Sequence, residues 1–193
     1  MATHIPKRTH LIQDAITSSQ FAKTTIVFSG PPREDLPGLE NFAPISDVLY
    51  RGAQPSREGF EQLKRMGVKT VVNLRAYRGD AGKLKGLGLR YVHLRCRAWL
   101  PSGKKLALFL KLVHDPANQP VFVHCLHGSD RTGLAVAAYR IMEQGWQLDR
   151  AIEELHTFGF HHRVFPQILR FLKRFDASQI KTLMDNLEMP PVL

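Results

Sequence analysis

Cys125 ends a short apolar run, Val121-Phe122-Val123-His124, and Arg131 follows it after Leu126, His127, Gly128, Ser129 and Asp130. Thr132 and Gly133 then lead into an apolar, helix-forming stretch. Residues of these types in this order suit one chemistry. A short loop between a buried strand and a helix N-terminus can turn successive backbone N–H groups inward, which makes an anion-binding concavity. Arg131 can close that concavity with a bidentate guanidinium grip on two phosphoryl oxygens. The same positive field favours a thiolate: a free cysteine has a pKa of about 8.5, and helix N-termini or nearby cations bring it to roughly 3.5–7.5. Cys125 is therefore read as a nucleophile for phosphoryl transfer, with residues 125–131 as the phosphate loop and no requirement for a metal or other cofactor. An inert buried thiol at a strand end is the competing reading, and it leaves the loop and the arginine unexplained. His124 is a candidate for orienting the loop through backbone hydrogen bonds. Thr132 is either a helix-start hydroxyl or a group that helps the thiolate leave.

The elements that must position this loop are legible from periodicity. Asp47–Arg51 reads as a first strand, stopped by Gly52 and Pro55. Ser56 is a good N-cap for a helix over 57–66, in which Phe60, Leu63 and Met66 share one face and Gly67 ends the run. Val68–Leu74 is a β-branched strand of the buried type, Arg90–Leu94 another, and 121–124 the most core-like of all. Helices are expected over 103–114, 132–144, 147–158, 166–174 and 177–187. Strands alternating with helices, then a helical C-terminal third, specify an α/β domain with a mainly parallel central sheet flanked by helices. Residues 1–40, punctuated by Pro6, Pro31, Pro32 and Pro37, read as an extension that is either partly disordered or an edge strand at Thr25–Phe28; residues 41–193 form the domain.

Composition narrows the partners. With 193 residues, 44% of them apolar, the chain can bury one ordinary core. Two cysteines exclude a disulfide scaffold and a Cys₄ zinc site. There is no apolar stretch of the roughly 18–20 residues a membrane span needs, and the first 25 residues lack a continuous apolar core of the signal-peptide kind, so a cytoplasmic location is expected. The net charge is +10, and no Asp or Glu occurs from Ala81 to His114 while Lys83, Lys85, Arg90, Arg95, Arg97, Lys104, Lys105 and Lys111 do. Such a segment attracts anions. Nucleic acid is not the expected partner, because no RNP, KH, zinc-finger or basic-zipper pattern accompanies the charge. Phosphorylated substrates, and peripheral contact with acidic lipid, remain.

The run VFVHCLHGSDRTG resembles the HC-x5-R-(S/T)-G signature of the cysteine-dependent protein tyrosine phosphatases. The segments LYRGAQPSREGF, LKRMGVKTVVNLR and GLAVAAYRIMEQGW are similar to the compact bacterial dual-specificity type, so the resemblance spans about residues 40–160. It implies a sheet of four or five strands and hydrolysis of phosphotyrosine, or related phosphoserine and phosphothreonine esters, through a cysteinyl-phosphate intermediate. Asp130-Arg131-Thr132 also resembles the D-R-T of myotubularin and Sac-type phosphoinositide phosphatases. Together with the basic 81–114 segment, this keeps an inositol phosphate or phosphoinositide as the alternative substrate. A phosphate-binding module with weak turnover is the alternative outside enzymology.

One departure from the family pattern bears on mechanism. Such enzymes carry a general-acid Asp on a loop a few tens of residues before the cysteine. Here that loop is Leu94–Gly103, LRCRAWLPSG, which has no carboxylate. Asp130 is the preferred substitute, Asp80 the next, and the absence of any protein acid a third possibility. Cys96, on the same loop, is a candidate for a reversible disulfide with Cys125. Trp99 and Pro101 are expected at the pocket rim, and His161, His162 and Arg163 at a basic edge.

Overall fold

The runs Thr70–Asn73 and Val121–His124 are buried along their whole length, as interior strands covered from two sides must be. In the computed structural model, which describes residues 30–193, they join three further strands in one five-stranded sheet. Its strands are β1 (Ala43–Pro44), β2 (Leu49–Gly52), β3 (Thr70–Asn73), β4 (Arg90–His93) and β5 (Val121–His124). The order is β1-β2-β5-β3-β4, with β1 antiparallel to β2 and every other pair parallel. β5 lies in the middle, and its register sets His124 beside Gly52 on one side and Asn73 on the other. The three strands therefore finish level, and the segments that leave them meet at one end of the sheet, where open α/β proteins bind ligands.

Alternate β residues feed two cores. Phe122 and Val71 pack with Phe60, Leu63 and Leu84 from α1 (Arg57–Arg65) and α2 (Ala81–Leu84). Val123 and Val72 pack against the larger layer of α3 (Gly103–His114), α4 (Asp130–Gln144), α5 (Leu148–Thr157), α6 (Pro166–Lys173) and α7 (Ala177–Asn186). Ser56 caps α1 by accepting from the Gly59 N–H at 3.1 Å.

α4 is the pivot of that layer. Its first three turns are almost wholly buried, and Ala135, Ala137 and Ala138 let it lie close to its neighbours. At Gly133 a Cβ would come within 2.9 Å of the Leu155 side chain, so α5 could not approach as closely. Arg140, fully buried, donates from Nε to both Glu154 oxygens at 3.1 and 3.0 Å and from Nη1 to the Ile45 carbonyl at 3.1 Å, while stacking on Trp146 at 4.2 Å. This clamp ties α4 to α5 and to the segment before β2.

The fold follows the α/β expectation, with helix and strand ends shifted by up to two residues. The structure adds β1 and the single turn α2, both too short for periodicity to reveal. Thr25–Phe28 lies outside the described residues. Within residues 30–40, Leu39 is buried against the α1 core, Arg33 N–H donates to the Phe42 carbonyl at 2.7 Å, and the Gly38 carbonyl accepts from Ser56 N–H.

Removing one partner of a buried ion pair strands the other charge, at a cost of about 3–5 kcal/mol. Glu154→Ala is therefore expected to lower the unfolding free energy by that amount in urea melts, and a loss under about 1 kcal/mol would contradict the clamp.

Candidate active site

The phosphate loop leaves β5 at Cys125, which is buried, and re-enters regular structure at Asp130, the first residue of α4. Three consecutive carbonyls within it are held from outside. The Leu126 carbonyl accepts from Gln54 N–H at 3.0 Å, that of His127 from Asn41 Nδ2 at 2.9 Å, and that of Gly128 from Arg51 Nη2 at 2.7 Å. A planar peptide points its N–H away from its carbonyl, so carbonyls drawn outward leave amides facing the loop's interior. Accordingly, no acceptor among the described residues takes the main-chain N–H of Leu126, His127, Gly128, Ser129, Asp130 or Arg131. Gly128 has φ +73°, and a Cβ there would stand 2.6 Å from the Gly52 backbone, so only glycine fits.

Arg131 Nε and Thr132 Oγ1 are buried polar atoms without a hydrogen-bond partner among the described residues. Buried donors normally find acceptors. The free N–H groups, the Arg131 guanidinium and the Thr132 hydroxyl all belong to the loop and helix turn that follow Cys125, an arrangement suited to a bound oxyanion.

Beneath the loop lies a second, fully buried guanidinium. Arg51, on β2, has among the described residues only the Gly128 carbonyl as hydrogen-bond partner, leaving Nε and Nη1 without one, and its plane stacks on Phe158 at 3.7 Å. Burial pulls its pKa down to about 10, against the pull of Glu154 and Cys125, so it remains a cation at neutral pH. Sequence reading missed Arg51 as a site residue. The available signal was a charged side chain in a strand whose other residues belong in the interior.

His124 joins the loop to the other side of the sheet. Its Nδ1 donates to the Cys125 carbonyl at 2.9 Å, and its Nε2 lies 3.2 Å from Asp80 Oδ2. Asp80 also accepts from Asn73 Nδ2 at 2.6 Å and from the Gln54 side chain, and its own N–H donates to the Tyr91 hydroxyl at 2.9 Å. Burial disfavours the Asp80 carboxylate, yet the bonds from His124 and Gln54 prevail and hold its pKa below the ordinary range. A carboxylate bonded to Asn73 and Gln54 and lying against His124 is an anchor for His124 rather than a mobile proton donor.

Asp130 is likewise buried, and its carboxylate turns to His161 on the loop between α5 and α6. It accepts from the His161 N–H at 2.9 Å and lies 3.1 and 3.2 Å from the ring Nδ1. His127 sits beside the same ring, with centroids 6.0 Å apart. His162 and Arg163 are exposed. Ser129 Oγ donates to the His127 carbonyl at 3.4 Å.

The loop from Arg95 to Ser102 that lacks a carboxylate roofs a cavity of about 320 Å³, lined by Cys96, Pro101, Lys105, Phe109 and Arg131 among others. Burial pushes the Cys96 thiol up to about 11, against Lys105 and Arg131, so it stays protonated at neutral pH. Trp99 is half exposed and lines a separate shallow cavity with Arg75, Leu126 and Arg131.

Residues 39–167 match the family described as DSP-PTPase phosphatase fused to NAD+ kinase. The chain belongs to this family. It is a cysteine-dependent phosphatase, a phosphoric monoester hydrolase. Its relatives include the dual specificity protein phosphatase TpbA of Pseudomonas aeruginosa, 36% identical over 78% of this chain and 70% of that protein. The inositol diphosphatase SIW14 of Saccharomyces cerevisiae is 28% identical over 75% of this chain and 54% of its own length. Among solved structures, TpbA superposes with a TM-score of 0.67 at 29% identity, covering 78% of this chain and 98% of its own. The catalytic core of SIW14 in complex with citrate gives 0.67 at 25% identity, covering 86% and 100%.

The outward bond from Arg51 has a measurable consequence. Arg51→Met removes the donor to the buried Gly128 carbonyl, at a cost of about 1–3 kcal/mol in stability, whereas slight misplacement of a reacting group costs up to about 10²-fold in rate. Arg51→Met is expected to remain folded at the assay temperature yet lose about 10²-fold in kcat/KM. An unchanged kcat/KM in the folded variant would contradict a positioning role.

Proposed function

We propose that the chain hydrolyses phosphotyrosine, and related phosphoserine and phosphothreonine esters, through a phosphocysteine. The observation that carries this reading is the run of main-chain N–H groups after Cys125 with no acceptor among the described residues, together with the buried Arg131 Nε, likewise without one. The Cys125 thiolate attacks phosphorus; an S–P bond forms as the P–O bond to the leaving group breaks. The amides of residues 126–131 and the Arg131 guanidinium hold the equatorial oxygens, where charge accumulates. The Asp130 carboxyl, which accepts from the His161 N–H, protonates the departing oxygen. It then takes a proton from water as water attacks phosphorus and releases the thiolate. Thr132 Oγ1 is the hydroxyl that receives the returning thiolate charge.

A solved structure of a TpbA variant in complex with phosphotyrosine supports the substrate. A specific observation favours the second reading, an inositol phosphate: Arg75 and Arg78 line the shallow cavity beside Arg131, and several relatives are named inositol diphosphatases. Among the described residues no helix is long and apolar enough to cross a membrane. A reducing, cytoplasmic setting keeps the nucleophile active and completes the proposal.

Two measurements test it. Phosphate release from phosphotyrosine peptide, phosphoserine peptide and inositol phosphates is expected to survive EDTA and to vanish in Cys125→Ser; release that needs metal or survives the substitution refutes the mechanism. In Asp130→Asn, turnover of alkyl phosphates is expected to fall by about 10²–10⁴-fold and that of aryl phosphates with good leaving groups far less. Equal losses on both classes would remove Asp130 from proton transfer.

A further inference from the structure

Large apolar side chains are exposed around the mouth of the phosphate loop. Tyr77 is 75% exposed, Trp99 53%, Leu100 62% and Val164 63%, with Leu126 less so. Tyr77, Trp99 and Leu126 share one face, lining the shallow cavity of about 220 Å³ with Arg75, Arg78 and Arg131; Leu100 lines the neighbouring cavity under the 95–102 loop, which Arg131 also lines. The three segments that build the rim, 75–79, 95–105 and 161–165, contribute Arg75, Arg78, Arg95, Arg97, Lys104, Lys105 and Arg163 and no carboxylate. The nearest acid in the loop itself, Asp130, is buried and occupied by His161.

A hydrated anionic substrate accounts for the cations and leaves the apolar tips without a purpose, because exposed clusters of this kind mark surfaces that become covered. A protein partner would have to present acidic and apolar surface together, in register with both. An anionic bilayer offers both everywhere: headgroup charge for the arginines and lysines, and an interfacial zone that takes up Trp, Tyr and Leu tips. Arg and Lys side chains can lie along that boundary with their charged ends in the headgroups. From this interleaving we infer that the rim of the active site is a docking face for an anionic lipid surface, which brings the phosphate loop toward phosphoesters held at the membrane.

The test is co-sedimentation of the full chain with vesicles of phosphatidylcholine alone and of phosphatidylcholine mixed with phosphatidylglycerol. Phosphatidylglycerol is a phosphodiester, so binding is read without turnover and independently of the phosphatase assignment. Binding is expected to be at least about tenfold tighter on the anionic vesicles and to weaken as salt rises through the range that shortens the Debye length. Trp99→Ala combined with Leu100→Ala, both on the surface, is expected to keep the wild-type melting temperature and lose about tenfold in vesicle affinity. Equal or absent binding to the two vesicle types overturns the inference, as does undiminished binding by the double variant. A face that ignores vesicles while Cys125→Ser captures phosphotyrosine peptide through Trp99 and Leu100 belongs to a protein partner, which also overturns it.

Discussion

Peptide planarity is the constraint on which this site depends. A backbone amide cannot be aimed directly; it can be aimed only by pulling its carbonyl the other way. Gln54 N–H, Asn41 Nδ2 and Arg51 Nη2 each hold one carbonyl of Leu126, His127 and Gly128, and the free amides of the loop follow. The three donors come from β2 and the segments flanking it, which explains why the parallel pairing of β2 with β5 lies next to the chemistry. Gly128, pressed against Gly52, is what allows the two segments to touch.

Charge is arranged in layers around this scaffold. Arg131 Nε, and Arg51 Nε and Nη1 from β2, are buried without a hydrogen-bond partner among the described residues. His124, bonded to the Cys125 carbonyl and backed by Asp80, fixes the strand end from the α2 side. Arg140 with Glu154 fixes α4 from the α5 side. Buried cations are costly in isolation, and here their cost is offset by the carbonyls, carboxylate and rings they touch.

Much of this was legible in the sequence because it is local. Strand, cysteine, glycine-containing loop, arginine and helix occur within one short segment, so periodicity and residue type place them without knowledge of tertiary structure. The parallel sheet and most helix positions follow from the same local patterns. What was not legible depends on long-range pairing. Arg51 and Asn41 lie more than 70 residues from the carbonyls they hold, and nothing in their own neighbourhoods shows the bond. Asp130 and Asp80 are both buried, and only their tertiary partners separate them, one against His161 and the other against His124, Asn73 and Gln54. The exposure of Tyr77, Trp99 and Leu100 also emerges only from the fold, because apolar residues in a loop read equally well as core.

The central claim is that the thiol of Cys125 is the atom that receives the phosphoryl group. The most direct measurement is acid quenching during turnover, followed by mass spectrometry of the peptide that contains residues 125–131. One phosphoryl group on Cys125, absent in Cys125→Ser and formed as fast as substrate is consumed, is the predicted result. Substrate hydrolysed with no phosphate ever attached to that cysteine, or attached elsewhere, would contradict the account.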